Sequence, residues 1–211
     1  MEFIELATKR LTTLVYTNKK ISQKDFMKIL ESARIAPSAK NRQPWRFYIL
    51  NDIQKEYIAK QMESWINITG METTIKRSAN MIRNVGDVIL IYIEKWDREN
   101  IDRIKKPEIL LNGEDLENMI IMHDYYMGRI KADLLSCGAA IEHMILQATE
   151  LGIDTTWICD VLFVDEEINR YLKLDNKEIV CGLALGYKKV EPIRKKRFKI
   201  EDLIIGGTLE R

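Results

Sequence analysis

The sequence predicts a mixed fold in which helices cover a sheet, α/β or α+β in class. Three features predict it. Residues 22–36 carry an amphipathic helix, with Phe26, Ile29, Leu30 and Ala33 falling at i, i+3, i+4 and i+7. Residues 87–93, Asp-Val-Ile-Leu-Ile-Tyr-Ile, form a nearly continuous apolar run, the pattern of a strand covered on both faces. Residues 179–185 form a second such run. No internal repeat or low-complexity tract interrupts them.

Taken in order, Ser22 is placed to cap the first helix, with Asp25 near its N-terminus. Pro37 ends it, because a residue before proline is driven out of the helical region. A polar loop containing Pro44 leads into a strand over 46–50, and Gln54–Ile68 and Thr73–Ile82 read as helices. Glu94–Lys106, densely charged and followed by Pro107, reads as a loop or insertion. The longest helix starts near Leu116 or Arg129 and runs to Leu151, with Leu134, Ile141, Met144, Ile145, Ala148 and Leu151 as its apolar stripe. Gly152 suits the position just past its end, and Gly138, Ala139 and Ala140 are small enough for another helix to approach closely. Thr155–Ile158 reads as a short strand, and Asp165 as the cap of a helix through Leu172.

At 211 residues and 46% hydrophobic, the chain can form one domain with a substantial core. Lys plus Arg (33) nearly balance Asp plus Glu (32), a net charge of +1 that disfavours nucleic acid as a partner. No stretch approaches the roughly 20 apolar residues of a membrane span. The start, Met1-Glu2-Phe3-Ile4-Glu5, lacks a basic-then-apolar leader, so a cytoplasmic protein is expected. Cys137, Cys159 and Cys181 are far apart in sequence and form no CxxC, which fits a reducing compartment and disfavours a disulfide framework or a cysteine zinc site.

Several chemistries are missing from the motif inventory: there is no GxGxxG after a strand, P-loop, HExxH or GxSxG. His123 and His143 have no ligand pattern and read as packing or surface residues, and Cys137 and Cys181 as small buried hydrophobes. Lys9-Arg10 before Thr12-Thr13, and Arg194-Lys195-Lys196-Arg197, could grip a phosphate or simply be solvated faces. The loop Ala36-Pro37-Ser38-Ala39-Lys40-Asn41-Arg42-Gln43-Pro44-Trp45 is more specific. Its two prolines fix the backbone, and Ser38, Asn41 and Gln43 could meet the polar edge of a flat heterocycle. Equally, it could be a plain helix-to-strand connection with Trp45 filling the core.

At this loop the sequence resembles the flavin-dependent nitroreductase family, whose Ala-Pro-Ser-x-x-Asn-x-Gln-Pro-Trp run is matched by residues 36–45. Tyr16–Ser22, the helix and strand over 138–158, Leu183-Ala184-Leu185-Gly186-Tyr187, and Lys195 with Arg197 extend the resemblance. It covers about residues 8–50 and 130–204, leaving 51–129 as a variable lid or insertion within a single 1–211 domain. The resemblance implies an α+β sandwich, a central mostly antiparallel sheet flanked by helices. It also implies a homodimer in which helices 22–36 and 130–151 serve both core and partner. FMN at the interface would be reduced by NAD(P)H and pass electrons to a nitroaromatic, quinone or similar small molecule.

The cofactor positions it implies are Arg10 and Thr12 at the phosphate, and Pro37, Ser38 and Asn41 along the ring, reached from the other subunit. Thr155, Thr156 and Trp157 would lie over the opposite ring face, with Lys195 and Arg197 completing the clamp. No catalytic side chain and no metal is implied, because the flavin carries the chemistry. Two departures stand out. Leu11 and Leu14 occupy basic positions of the family, and Cys159-Asp160 follows Trp157-Ile158 where glycine is usual. They leave open a binding or regulatory protein of the same fold with weak or lost flavin affinity, or a member specialised for dehalogenation or flavin-fragmenting chemistry. Met119, Met122, Tyr125, Tyr126 and Met127 would then line a lid, or else pack on the core.

Overall fold

The computed structural model describes residues 2–95 and 116–207. At its centre is a four-stranded sheet of order β1-β2-β4-β3, formed by β1 (Arg46–Ile49), β2 (Asp87–Glu94), β3 (Asp154–Ile158) and β4 (Lys177–Gly186). Every pairing between these strands is antiparallel. The apolar run of β2 is buried on both faces, as its composition requires. Val88, Leu90 and Tyr92 face one layer, and Ile89, Ile91 and Ile93 the other. Beside it β4 carries a bulge, since Ile91 pairs with Cys181 while Tyr92 pairs with Ile179. The extra residue, Val180, switches the side-chain alternation, so Ile179 and Cys181 enter opposite layers.

The chain opens with α1 (Phe3–Lys9), which the sequence reading missed because it is one short exposed helix with no buried residue. Of the two helical layers, one comprises α2 (Gln23–Arg34) and the long α6 (Leu116–Glu150), packed on Ile89, Ile91, Leu183 and Leu185. The other holds α3 (Asp52–Ser64), α4 (Ile66–Thr69), α5 (Glu72–Asn84) and α7 (Asp165–Leu172), gathered over Val88, Leu90 and Ala184. The protein is therefore an α+β sandwich, with helices on both faces of an antiparallel sheet.

Ends form where side chains satisfy the first free N–H groups. Ser22 Oγ accepts from Asp25 N (3.1 Å), and Asn51 with Gln54 forms a reciprocal capping box at α3. Helix α6 begins at Leu116, the earlier of its two expected starts, and Gly152 beyond it has φ 73°. Asp165 is the first residue of α7 rather than its cap, for a 3₁₀ turn over Asp160–Val164 feeds the helix directly. Close packing of α6 comes from Ala140, which is fully buried, whereas a Cβ at Gly138 would meet nothing within 4 Å. Of the expected loop Glu94–Lys106, Glu94 instead ends β2, while residues 96–106 and the side chains of Met119, Met122, His123, Tyr125 and Tyr126 lie outside the described residues. Met127 is 38% exposed. Among the described residues, no helix is long and apolar enough to cross a membrane.

The two glycines make opposite predictions. A Cβ at Gly86 would lie 2.2 Å from the Lys19 carbonyl oxygen, a backbone atom that cannot swing aside. Gly86→Ala should lower unfolding free energy in urea by about 3 kcal/mol. Gly138→Ala, in an open helical position, should raise it by about 0.5–1 kcal/mol.

Candidate functional site

The site is built on the free edge of β3, where the segment after α1 docks. Thr12 forms a parallel bridge with Thr155, and Thr13 N donates to Thr155 O (3.2 Å). Further on, Thr17 N donates to Tyr187 O and Lys189 N to Val15 O, both at 2.9 Å. Thr156 locks this edge from within. Its hydroxyl donates to Thr13 O, so its single proton is committed and the Tyr16 hydroxyl must be the donor in the 2.8 Å bond between them. Thr13 Oγ1 donates in turn to Asp154 Oδ1 (3.2 Å), while Asp154 Oδ2 accepts from Lys188 N (2.9 Å). Burial, reinforced by the Asp154 charge and opposed by the Thr156 bond, holds the Tyr16 phenol protonated well above its ordinary range.

Strand alternation sorts the three residues expected over a flavin face. Thr155 and Trp157 point to the α6 side, whereas Thr156 points the opposite way into the lock. On the α6 side a cleft of about 440 Å³ is lined by Ala7, Arg10, Thr12, Glu142, Ile145, Thr155, Trp157 and Arg197. Five expected site residues thus meet there: Arg10, Thr12, Thr155, Trp157 and Arg197. The basic tail is brought in by Arg194, whose guanidinium donates to Thr8 O at the end of α1 (2.6 Å). Neither Arg10 nor Arg197 has an ion-pair partner among the described residues, so both are available to an anion. Trp157 is 41% exposed, so its indole offers an open face at the cleft.

Other expected residues lie elsewhere. Lys195 is exposed and does not line the cleft, and Leu11 is half-buried away from it. Leu14 borders a second cleft of about 760 Å³ on the α5 side, with Tyr16, Arg77, Asn80, Asn84 and Lys189 among its walls. The acidic group beside Cys159 is tied away, since Asp160 Oδ2 accepts from Ser78 Oγ of α5 (2.5 Å). Cys137 and Cys181 are buried as expected; burial pushes the Cys137 thiol up to about 12 and the Cys181 thiol also up, keeping both protonated. His143 Nδ1 lies 3.1 Å from Ser32 O, joining α6 to α2 as a packing residue.

The loop holding Pro37, Ser38 and Asn41 has an unusual backbone. Lys40, Asn41 and Gln43 have φ of 53°, 52° and 48°, a region costing a non-glycine residue about 1–2 kcal/mol. Trp45 does fill the core, 6% exposed, and with buried Ala36 it clamps both loop ends. Between them, Ala39 N donates to Ser136 Oγ (3.1 Å), Gln43 N to Ser38 Oγ (3.0 Å), and Arg42 Nε and Nη2 to Asp133 Oδ1 (2.9 and 2.5 Å). Pro37 and Asn41 are left facing outward. Along α6 the rise from Ser136, which holds the loop, to Glu142, which lines the cleft, is about 9 Å at 1.5 Å per residue, and no residue of the loop lines the cleft.

The sequence reading missed Glu142, Arg42, Asp133 and Ser136. A signal existed for the last two: Asp133 and Ser136 are polar residues one turn apart within an otherwise apolar helix face, and both are at most 5% exposed. Glu142 gave no signal, because a carboxylate on a long helix normally reads as solvated.

The edge lock makes a pH-dependent prediction. Tyr16→Phe should cost about 1 kcal/mol of stability, and Thr156→Val about 2–3 kcal/mol, since it orphans two buried groups. Because the folded pKa of Tyr16 is raised above the unfolded value, its stabilisation is fully present below about pH 10 and is lost as pH rises further. Urea titrations from pH 8 to 11 should therefore show a shallower alkaline loss in Tyr16→Phe than in the parent.

Residues 7–187 match the nitroreductase family. An oxygen-insensitive NADPH nitroreductase of Helicobacter acinonychis is 25% identical over 180 residues, covering 83% of this chain and 82% of that protein. A nitroreductase from Bacteroides fragilis, crystallised with bound FMN, superposes with TM-score 0.69 at 21% identity over 98% of this chain and 100% of that one. A BluB-like flavoprotein from Clostridium difficile superposes with TM-score 0.71, also at 21% identity, over 99% and 100%. Strand order, edge docking and this match over most of the sequence lead to one conclusion: the chain belongs to the nitroreductase family.

Proposed function

We propose that this protein is an FMN-dependent oxidoreductase that draws electrons from NAD(P)H and delivers them to a nitroaromatic, quinone or similar small acceptor, acting as a homodimer in the cytoplasm. One observation carries the reading: Arg10 and Thr12, Trp157, and Arg197, from three separate parts of the chain, converge on one cleft. Two guanidinium groups without an ion-pair partner among the described residues, together with a hydroxyl, fit a phosphate monoester, and an adjoining partly exposed indole suits a flat ring system. The names of relatives and the FMN held by the Bacteroides fragilis protein agree with it.

FMN, when bound, supplies the two-electron redox chemistry, and the chain supplies binding, orientation and exclusion of water. Arg10 and Arg197 would neutralise the phosphate with charge-assisted hydrogen bonds. Thr12 would add a neutral donor. Glu142 can accept from the hydroxyls of a sugar-alcohol chain, but it also lowers the positive charge of the cleft. Trp157 would cover apolar ring surface. The homodimer is supported by two features. No residue of the loop over 38–43 lines its own chain's cleft, and a second copy would bring that loop to it. The C-terminal stretch also exposes Ile193, Phe198, Ile200 and Ile205 at 90%, 80%, 70% and 104%, apolar surface that a partner would cover.

A second reading, a protein of the same fold that retains flavin weakly, draws on Leu11, Leu14, Lys195 and Glu142. The cleft's charge is two arginines against one carboxylate, less than the full clamp the family resemblance implies. Fluorescence titration of the purified protein with FMN separates the readings: micromolar or tighter binding supports the enzyme, and no uptake at micromolar FMN overturns it. Arg10→Ala and Arg197→Ala should each weaken binding by about 10- to 100-fold, corresponding to about 1.5–3 kcal/mol per charged hydrogen bond. Glu142→Gln should tighten it, by several-fold, as about 1 kcal/mol of repulsion is removed.

A further inference from the structure

We propose that Arg42, Asp133 and Ser136 are positioning residues, which clamp loop 38–43 onto α6 in a left-handed conformation that presents Ser38 and Asn41 to the flavin of the partner subunit; this rests on the proposed function above. The backbone is the starting point. Between the end of α2 and the start of β1 there are enough residues for a relaxed connection, yet Lys40, Asn41 and Gln43 all lie at positive φ. Asparagine tolerates that region, whereas lysine and glutamine do so only when surrounding contacts impose it.

Those contacts are specific and buried. Asp133 exposes 4% of its side chain and Arg42 19%, and both guanidinium bonds converge on one carboxylate oxygen. Ser136 sits three residues along the same helix, accepts from Ala39 N and donates to Ala132 O (2.6 Å). Helix and loop are thereby joined at two points, one on each side of Lys40 and Asn41. Removing the clamp would leave Ala36 and Trp45 still buried, so the loop ends would stay in place while the middle relaxed. What the clamp holds outward is useful chemistry. The Asn41 Oδ1 accepts from Gln43 Nε2 (3.1 Å), which fixes the amide plane, and the Asn41 Nδ2 donates to nothing among the described residues. A rigid, aimed amide is what recognition of a heterocycle's polar edge requires.

The test uses the full-length dimer and reads FMN affinity by fluorescence, with amide hydrogen exchange of residues 39–43 as a readout independent of flavin. Asp133→Asn and Ser136→Ala should each speed exchange in the loop and raise the FMN Kd about tenfold, the effect of losing a preorganising contact. Glycine supplies the discriminating control, since it adopts positive φ without strain. Lys40→Gly added to Asp133→Asn should recover a good part of the lost affinity, which a merely structural role for Asp133 would not permit. Should Asp133→Asn misfold, Ser136→Ala alone decides. Equal FMN affinity in the parent and both variants overturns the proposal while leaving the function standing; a parent that takes up no FMN overturns both.

Discussion

The bond between the Thr156 hydroxyl and the Thr13 carbonyl is the contact on which the site depends. It is made on the far side of β3 from the cleft, among groups that never meet a ligand, and it sets the height of the N-terminal segment on the sheet edge. With Thr13 held, Thr12 is forced to the opposite side by strand alternation, and Arg10 follows it to the same wall. Tyr16 then seals the lock from below, and its buried phenol discourages water from competing for the Thr156 hydroxyl. An edge strand ordinarily presents unpaired backbone groups. Here the chain's own beginning covers them, and the same covering strand brings the first arginine to the cleft.

Burial of β2 on both faces gives the edge its rigidity. A sheet packed by α2 and α6 on one side and by α3, α5 and α7 on the other cannot tilt to follow a loose terminus, so the terminus must conform to it. The Val180 bulge shows how tightly this is specified. A single extra residue in β4 keeps Ile179 and Cys181 in opposite layers, and β4 in turn pairs with β3, where Leu183 lies opposite Trp157. Core register and site geometry are therefore linked through the pairing of these two strands.

Much of this was legible in the sequence, and the reasons are local. The apolar run at 87–93, the Ser22 cap and Gly152 act through nearest neighbours along the chain, so their meaning survives without a structure. The loop at 36–45 was legible as a motif, but its conformation was not, because Arg42 meets Asp133 across 91 residues. Alternation could have divided Thr155 and Trp157 from Thr156, yet which parity faces the cleft depends on the position of α6. Leu14 illustrates the same limit. Sequence order places it beside Thr12, while the segment's path carries it to the other cleft, with Arg77 and Lys189. α1 escaped notice because exposed short helices have no apolar period to reveal them.

Charge placement follows from the same geometry. The net charge of +1 is close to neutral in total, but Arg10 and Arg197, neither ion-paired among the described residues, meet at a single cleft, and the second half of α6 contributes one carboxylate to it. Some of the remaining charges meet in pairs on the helical surface, such as Lys76 with Glu72 and Arg83 with Glu56 and Glu63. Such pairs add little stability where exposed. A site with two arginines and one acid binds through the difference between attraction and repulsion. Its affinity is then more sensitive to one charge than a fully basic clamp would be, so Glu142, a residue no motif flagged, sets how much of the two arginines' attraction is left for the phosphate.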